Sequence, residues 1–240
     1  MVLLLELFKG TGSFSKQADK MNIDVISLDI MKKFNPTYCC DILEWDYKSI
    51  PIPDIITASP PCETFSILIA SHKIQVRDHQ GTMEPLTEKG IIGDKCLFKT
   101  IEIIKYFLEK NPNLKFSIEN PVGFMRKYFL KHNNFDLPIT RSTAWYSFYG
   151  FPYRKPTDFW TNIDGGFKFI PYSKKTEPKL TSKICDIPLR DRYRIPETLC
   201  EYILNALIGN IPPPNCLGEK KPINKELVII KDNKEILYDI

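Results

Sequence analysis

The stretch that decides the fold is VLLLELFKGTGSFSKQADKM, Val2 to Met21. An apolar run from Val2 to Phe8 has the length and composition of a buried strand. Gly10-Thr11-Gly12 follows as a tight turn, because glycine reaches backbone conformations closed to other residues. Phe14 to Met21 then carries helical spacing, with Ser13 the expected N-cap. Strand, glycine turn and helix open a βαβ unit, and such units build parallel sheets.

The pattern repeats downstream. VISLDI (Val25–Ile30), TYCCDI (Thr37–Ile42) and DIITASP (Asp54–Pro60) read as further strands. Residues from about Gly93 to Lys110 have strong helical periodicity. LKFSIENP (Leu114–Pro121) is a fifth strand and VGFMRKYFLKH (Val122–His132) a helix. The expectation is an α/β chain with a mostly parallel sheet covered on both faces.

Beyond residue 140 the texture changes. TAWYSFYGF (Thr143–Phe151) and TDFWTNI (Thr157–Ile163) are aromatic and β-prone, and predict an antiparallel pair at the sheet edge. Residues 164–190 are polar and rich in lysine. PETLCEYILNAL (Pro196–Leu207) is amphipathic, with proline at the first turn. IPPPNCLGEKKP reads as a linker, and ELVIIKDNKEILYDI as a terminal hairpin turning at Asp232-Asn233. This divides the chain into a catalytic and cofactor-binding part (1–163), a short recognition-like insert (164–190), a helix returning to the body (191–210), and a linker with hairpin (211–240).

Composition limits the classes. With 240 residues and 43% hydrophobic content, one sizeable core is expected. The net charge of +4 permits a polyanionic partner without requiring one. Seven cysteines without C-x-x-C spacing suggest reduced thiols and no metal site. There is no signal-peptide pattern, and no apolar run reaches the ~20 residues of a membrane span. A cytoplasmic or nuclear protein with no membrane partner is the expectation.

The chemistry gathers at strand ends. The glycine turn follows the first strand. Asp29 ends the second about 20 residues on, where an acid can accept both ribose hydroxyls of a nucleoside. Asp41 ends the third. There is neither a third glycine of G-x-G-x-x-G nor a Walker lysine, which argues against a nicotinamide cofactor or ATP. Cys62 follows Pro60-Pro61 at the end of DIITASP, where a stiff turn projects it from the carboxyl edge of the sheet. Alone, such a thiol is more often a small apolar core residue than a nucleophile. Glu119 ends the fifth strand on the same edge, and a carboxyl group there can protonate or bond a ring nitrogen.

Together these segments resemble the cytosine-5 DNA methyltransferase family, in its compact phage or viral form, over most of residues 1–207. LELFKGTGSFS, SLDI and CDILEWD resemble its cofactor motifs, SPPCETFS its Pro-Cys motif, and IENP its Glu-Asn motif. STAWYSFYGFPYRKPTDFWTN resembles the segment before its recognition region, and RYRIPETLCEYI its last motif. The resemblance implies a Rossmann-like, S-adenosylmethionine-dependent methyltransferase fold: a mostly parallel seven-stranded sheet with an antiparallel edge hairpin. It implies S-adenosyl-L-methionine on Phe8, Gly10, Thr11, Gly12, Ser13, Asp29, Ile30, Asp41, Ile42 and Pro60. It makes Cys62 the nucleophile at carbon 6 of a cytosine flipped from a DNA duplex, Glu119 its partner on the ring, and Arg141 the arginine that helps hold the base. The loop from Cys62 to about Ile91, with Ser66, His72, Lys73, Arg77 and His79, would be a lid whose basic residues can meet phosphates. Lys168, Lys174, Lys175, Lys179 and Lys183 are further candidates for the DNA backbone, or a solvated lysine-rich loop.

Three positions depart from the family's pattern. Glu63 stands where glutamine usually follows the cysteine, and an acid there raises the thiol pKa. Ser13 replaces a second glycine. Tyr193-Arg194 stand where the last motif has Gly-Asn. Competing functions are cytosine methylation of RNA or tRNA, an amino-methyltransferase, and a catalytically inactive DNA-binding module on the same fold.

Overall fold

The computed structural model describes residues 1–66, 75–78, 81–210, 229–231 and 234–236. The predicted strands all form: β1 (Leu3–Leu7), β2 (Asp24–Asp29), β3 (Tyr38–Cys39), β4 (Ile55–Ala58), β5 (Lys115–Pro121), β6 (Thr140–Trp145) and β7 (Pro156–Thr161). They make one seven-stranded sheet in the order β3-β2-β1-β4-β5-β7-β6. β1 to β5 run parallel, while β7 is antiparallel to β5 and β6 antiparallel to β7. From β1 the chain moves outward to β2 and β3, then crosses to β4 on the other side. The crevice above β1 and β4 is therefore the topological switch point, where open α/β sheets bind ligands.

Alternation along each strand divides the core in two. Leu5, Leu7, Ile56, Phe116 and Ile118 point to the face covered by α2 (Glu88–Lys110) and α3 (Met125–Lys131). Leu4, Ile55 and Phe159 point to the other face, with Phe14 and Ala18 of α1 (Ser13–Lys20) and Leu199 and Ile203 of α5 (Glu197–Leu207). One row on this second face is polar. Ser27, Glu6, Thr57, Ser117 and Thr161 lie side by side across β2, β1, β4, β5 and β7, all buried.

Two local expectations change. α2 starts at Glu88, not Gly93, because Thr87 caps it by accepting from the Gly90 N–H at 3.3 Å. Two glycines in its first turns hide the periodicity, and the second has a packing reason: a Cβ at Gly93 would sit 2.4 Å from Thr64 Oγ1. Ser13 is not the N-cap of α1. Gly12 takes that place in the left-handed region (φ 69°), with no side-chain cap. Glu6 reaches up from β1 instead and accepts from the Phe14 and Ser15 N–H groups at 3.3 and 3.2 Å.

The segment after β7 enters the body before it leaves. Phe167 and Phe169 stack on each other and pack against Phe159. Lys168 donates its N–H to Tyr202 Oη of α5, and its ammonium turns back to the Gly165 carbonyl. A single helical turn, α4 (Leu189–Arg192), precedes α5. The terminal hairpin also forms, with β8 (Ile229–Lys231) antiparallel to β9 (Lys234–Ile236). Its expected turn, Asp232-Asn233, lies outside the described residues. No helix among the described residues is long and apolar enough to cross a membrane. Among them there is also no cluster of acidic, histidine and cysteine side chains suited to a metal ion.

Candidate active site

The cofactor side is built on the β1–α1 turn. Phe8, Gly10 and Gly12 all have positive φ (59°, 50° and 69°), so the backbone coils tightly above β1. Asp29, at the end of β2, accepts from Gly10 N–H through one carboxylate oxygen and from Met31 N–H through the other, both at 2.8 Å. A carboxylate has about four lone-pair sites, so these bonds leave acceptor capacity for ribose hydroxyls. Asp41 lies two residues beyond β3 rather than on it, and caps the next turn by accepting from Leu43 N–H at 2.9 Å. Ile42 is only 4% exposed, with its side chain in the core, whereas Ile30 beside Asp29 is 67% exposed. A groove of about 610 Å³ starts at this turn but runs between α1 and β2, past Lys16, Asp19, Val25 and Ser27, and is not lined by Asp29. The glycine cradle and the carboxylate beside it fit a nucleoside-bearing methyl donor.

The catalytic side lies across the switch point. Pro60 is buried, and its carbonyl accepts from Asn120 Nδ2 at 3.1 Å, which ties the double-proline turn to β5. Cys62 opens a short 3-10 turn, Cys62–Thr64, and is half-buried. Glu119, 7% exposed, points to the same face of β5 as the polar row and accepts from Tyr146 Oη at 3.3 Å. Lys155 is buried as well. Its ammonium lies 4.8 Å from the centre of the Tyr146 ring and donates to the Arg192 carbonyl at 2.8 Å. Burial pushes the Cys62 thiol up to about 11; Glu119 adds to the rise, Lys155 opposes it, and Glu63 adds a smaller push. The fold thus brings a thiol, a carboxyl group, a phenol and one ammonium group into one neighbourhood.

Arg141 is a correction. On β6 it pairs with Trp160, whereas Ser142 pairs with Phe159, the partner of Glu119. Directly opposed residues share a face and neighbours alternate, so Arg141 stands on the opposite face from Glu119, exposed. The cation in this neighbourhood is Lys155, from PYRKPTDFW. Its contacts to Tyr146 and the Arg192 carbonyl separate Lys155, at the entrance of β7, from the other basic residues of that segment.

Arg77 is a second correction. It is fully buried, not free to meet phosphate. Its guanidinium pairs with Asp94 and donates to the carbonyls of Thr64 (3.3 Å), Met83 (2.8 Å) and Gly90 (3.4 Å). It lies over the rings of Phe65 and Tyr128. Arg77 therefore pins the turn that carries Cys62 to the start of α2. His72, Lys73 and His79 lie outside the described residues.

The three departures now have physical settings. Glu63 forms an exposed ion pair with Lys89 of α2, which offsets its charge beside the thiol. Ser13 and the altered last motif touch each other: Ser13 Oγ accepts from Ile195 N–H at 3.1 Å. A glycine at position 13 would have no side chain to make that bond.

No family model matches the chain. Two solved structures share features with 77% and 76% of it: the DNMT2 mutant of Spodoptera frugiperda (18% identity, TM-score 0.43) and the methyltransferase EhMeth of Entamoeba histolytica (15% identity, TM-score 0.43). The chain spans 54% and 57% of their lengths. A protein of frog virus 3 (isolate Goorha), described as a probable DNA (cytosine-5)-methyltransferase, is 32% identical over 174 residues, 70% of this chain and 72% of its own. That identity, over so much of both proteins, shows that the chain belongs to the DNA (cytosine-5)-methyltransferase family.

Proposed function

We propose that the protein methylates carbon 5 of cytosine in DNA, through a covalent bond between Cys62 and carbon 6 of a base flipped from the duplex. The observation that supports this is the approach of Cys62, just after β4, to Glu119 at the end of the neighbouring strand β5. S-adenosylmethionine, bound on the turn and Asp29, supplies the methyl group.

The remaining work falls to the chain's own side chains. Burial holds the Cys62 thiol protonated, and the Glu119 charge adds to this. When a cytosine binds, the thiol proton passes to Glu119, which donates it to the ring nitrogen, so no negative charge opposes the thiolate. Lys155 favours the thiolate throughout. Cys62 adds to carbon 6, and Glu119 stabilises the charge that develops on the ring. Carbon 5 becomes nucleophilic. After methylation a base takes the carbon-5 proton, the ring nitrogen returns its proton to Glu119, and Cys62 departs as the thiolate, restoring the aromatic ring. Tyr146 holds the Glu119 carboxyl group from the side, and Asn120 holds the backbone that aims Cys62. Lys174, Lys175, Lys179 and Lys183 contact the DNA backbone.

The test is a duplex carrying 5-fluorocytosine with labelled S-adenosylmethionine. A trapped adduct that disappears in Cys62→Ala is expected. Methyl transfer that survives Cys62→Ala would sink the mechanism, and label on RNA alone would move the substrate.

A further inference from the structure

Tyr193 stands on a strap fixed at both ends. On one side the Arg192 carbonyl accepts from buried Lys155 at 2.8 Å. On the other, Ile195 N–H donates to Ser13 of the cofactor turn at 3.1 Å. Tyr153 adds a bond to the Asp191 carbonyl at 3.4 Å, and Arg192 folds back on the carbonyls of Ile187 (2.7 Å) and Cys185 (2.9 Å). The strap is therefore strung from Lys155 to the cofactor turn.

Between these anchors Tyr193 is 44% exposed. Glu63 and Cys62 are close enough to act electrostatically on its phenol, whose pKa is raised first by burial. Two exposed cations lie on the neighbouring segments, each paired with a carboxylate: Lys89 with Glu63, and Arg194, the next residue, with Asp191 at 3.8 Å. An exposed ring near the proposed nucleophile is open to a flat ligand. A nucleobase suits it, since bases stack on aromatic side chains whatever their sequence while nearby cations meet the phosphates. The fixed strap lowers the cost of ordering the ring on binding.

We infer that Tyr193 is a base-stacking residue, packing its ring on a base of the DNA duplex next to the cytosine held at Cys62. This rests on the proposed function for the identity of the reacting base. It gives a stacking role to a position where the family's usual Gly-Asn offers no ring.

The experiment compares Tyr193→Leu and Tyr193→Phe with the wild type. It uses cytosine-containing duplexes in which 2-aminopurine follows the cytosine. Stacking on an aromatic side chain predicts that Tyr193→Leu weakens duplex binding about tenfold. Tyr193→Phe should stay within about twofold, because the ring is kept. The 2-aminopurine emission of the complex should be brighter in Tyr193→Leu than in the wild type, while S-adenosylmethionine affinity stays the same in all three. Wild-type affinity in Tyr193→Leu, equal emission in both complexes, or an equal loss in Tyr193→Phe would overturn the inference. So would a loss confined to S-adenosylmethionine affinity, which would assign the ring to the cofactor. Binding and emission need no chemistry: a wild type that shows these effects but forms no adduct refutes the catalytic proposal alone. A wild type that binds no cytosine duplex refutes both.

Discussion

Replacing Glu119 with Gln should make Cys62 more reactive toward a simple alkylating agent while abolishing methyl transfer. The thiol is pushed from 9.0 to about 11, first by burial and next by the Glu119 charge. At pH 8 only about 0.1% of such a thiol is ionised. Glutamine keeps the shape and the bond to Tyr146 but carries no charge. Burial, the larger cause, remains. Loss of the Glu119 charge should therefore increase the thiolate several-fold. Removing the Lys155 cation acts the other way, so Lys155→Met should slow the same reaction. The assay is the pH dependence of iodoacetamide labelling, read on the Cys62 peptide by mass spectrometry, because Cys39 and Cys185 are exposed and react independently. Methylation of a cytosine duplex is measured in parallel. Faster labelling with lost methylation separates the two effects of Glu119: suppression of the thiolate in the empty site, and binding of the ring in the filled one. Unchanged or slower labelling in Glu119→Gln would refute the electrostatic account.

Three further outcomes follow from the packing. Arg77→Met should destabilise the protein by about 3–5 kcal/mol in urea unfolding, because Asp94 is left as an uncompensated charge, and Asp94→Leu in the same chain should recover most of the loss. Gly93→Ala should reduce kcat by about tenfold or more, since the new Cβ meets Thr64 at 2.4 Å and displaces the Cys62 turn; adding Thr64→Ala should restore much of it. Glu6 is buried, and burial raises its carboxyl to about 7 from 4.5. The folded state therefore binds more protons than the unfolded state between these values, and stability falls as pH rises from about 4.5 to 7. Glu6→Gln should flatten that decline, by about 3 kcal/mol at most, in melting curves taken across the range.

The sequence alone determined the local elements and the family to which the chain belongs. Near-continuous apolar runs such as Leu3–Leu7 are buried wherever they end up, and a glycine turn after one admits few continuations. Cys62 after two prolines and Glu119 before Asn120-Pro121 were legible because those residue types at strand ends carry chemistry that packing does not require. The edge hairpin was legible too, from aromatic strands on either side of PYRKP. What depended on register and distant contacts was not. Arg141 and Lys155 are both basic residues beside β-prone segments, but the pairing of β6 with β7 puts Arg141 on the face away from Glu119, while contacts to Tyr146 and the Arg192 carbonyl bury Lys155. Arg77 reads as a surface cation until Asp94, three carbonyls and two rings close around it. Ser13 reads as a helix cap until Glu6 takes that task from β1 and leaves the Ser13 hydroxyl to hold Ile195, 182 residues away. Local pattern follows from the covalent neighbours of a residue. A partner that far along the chain is chosen by the folded sheet.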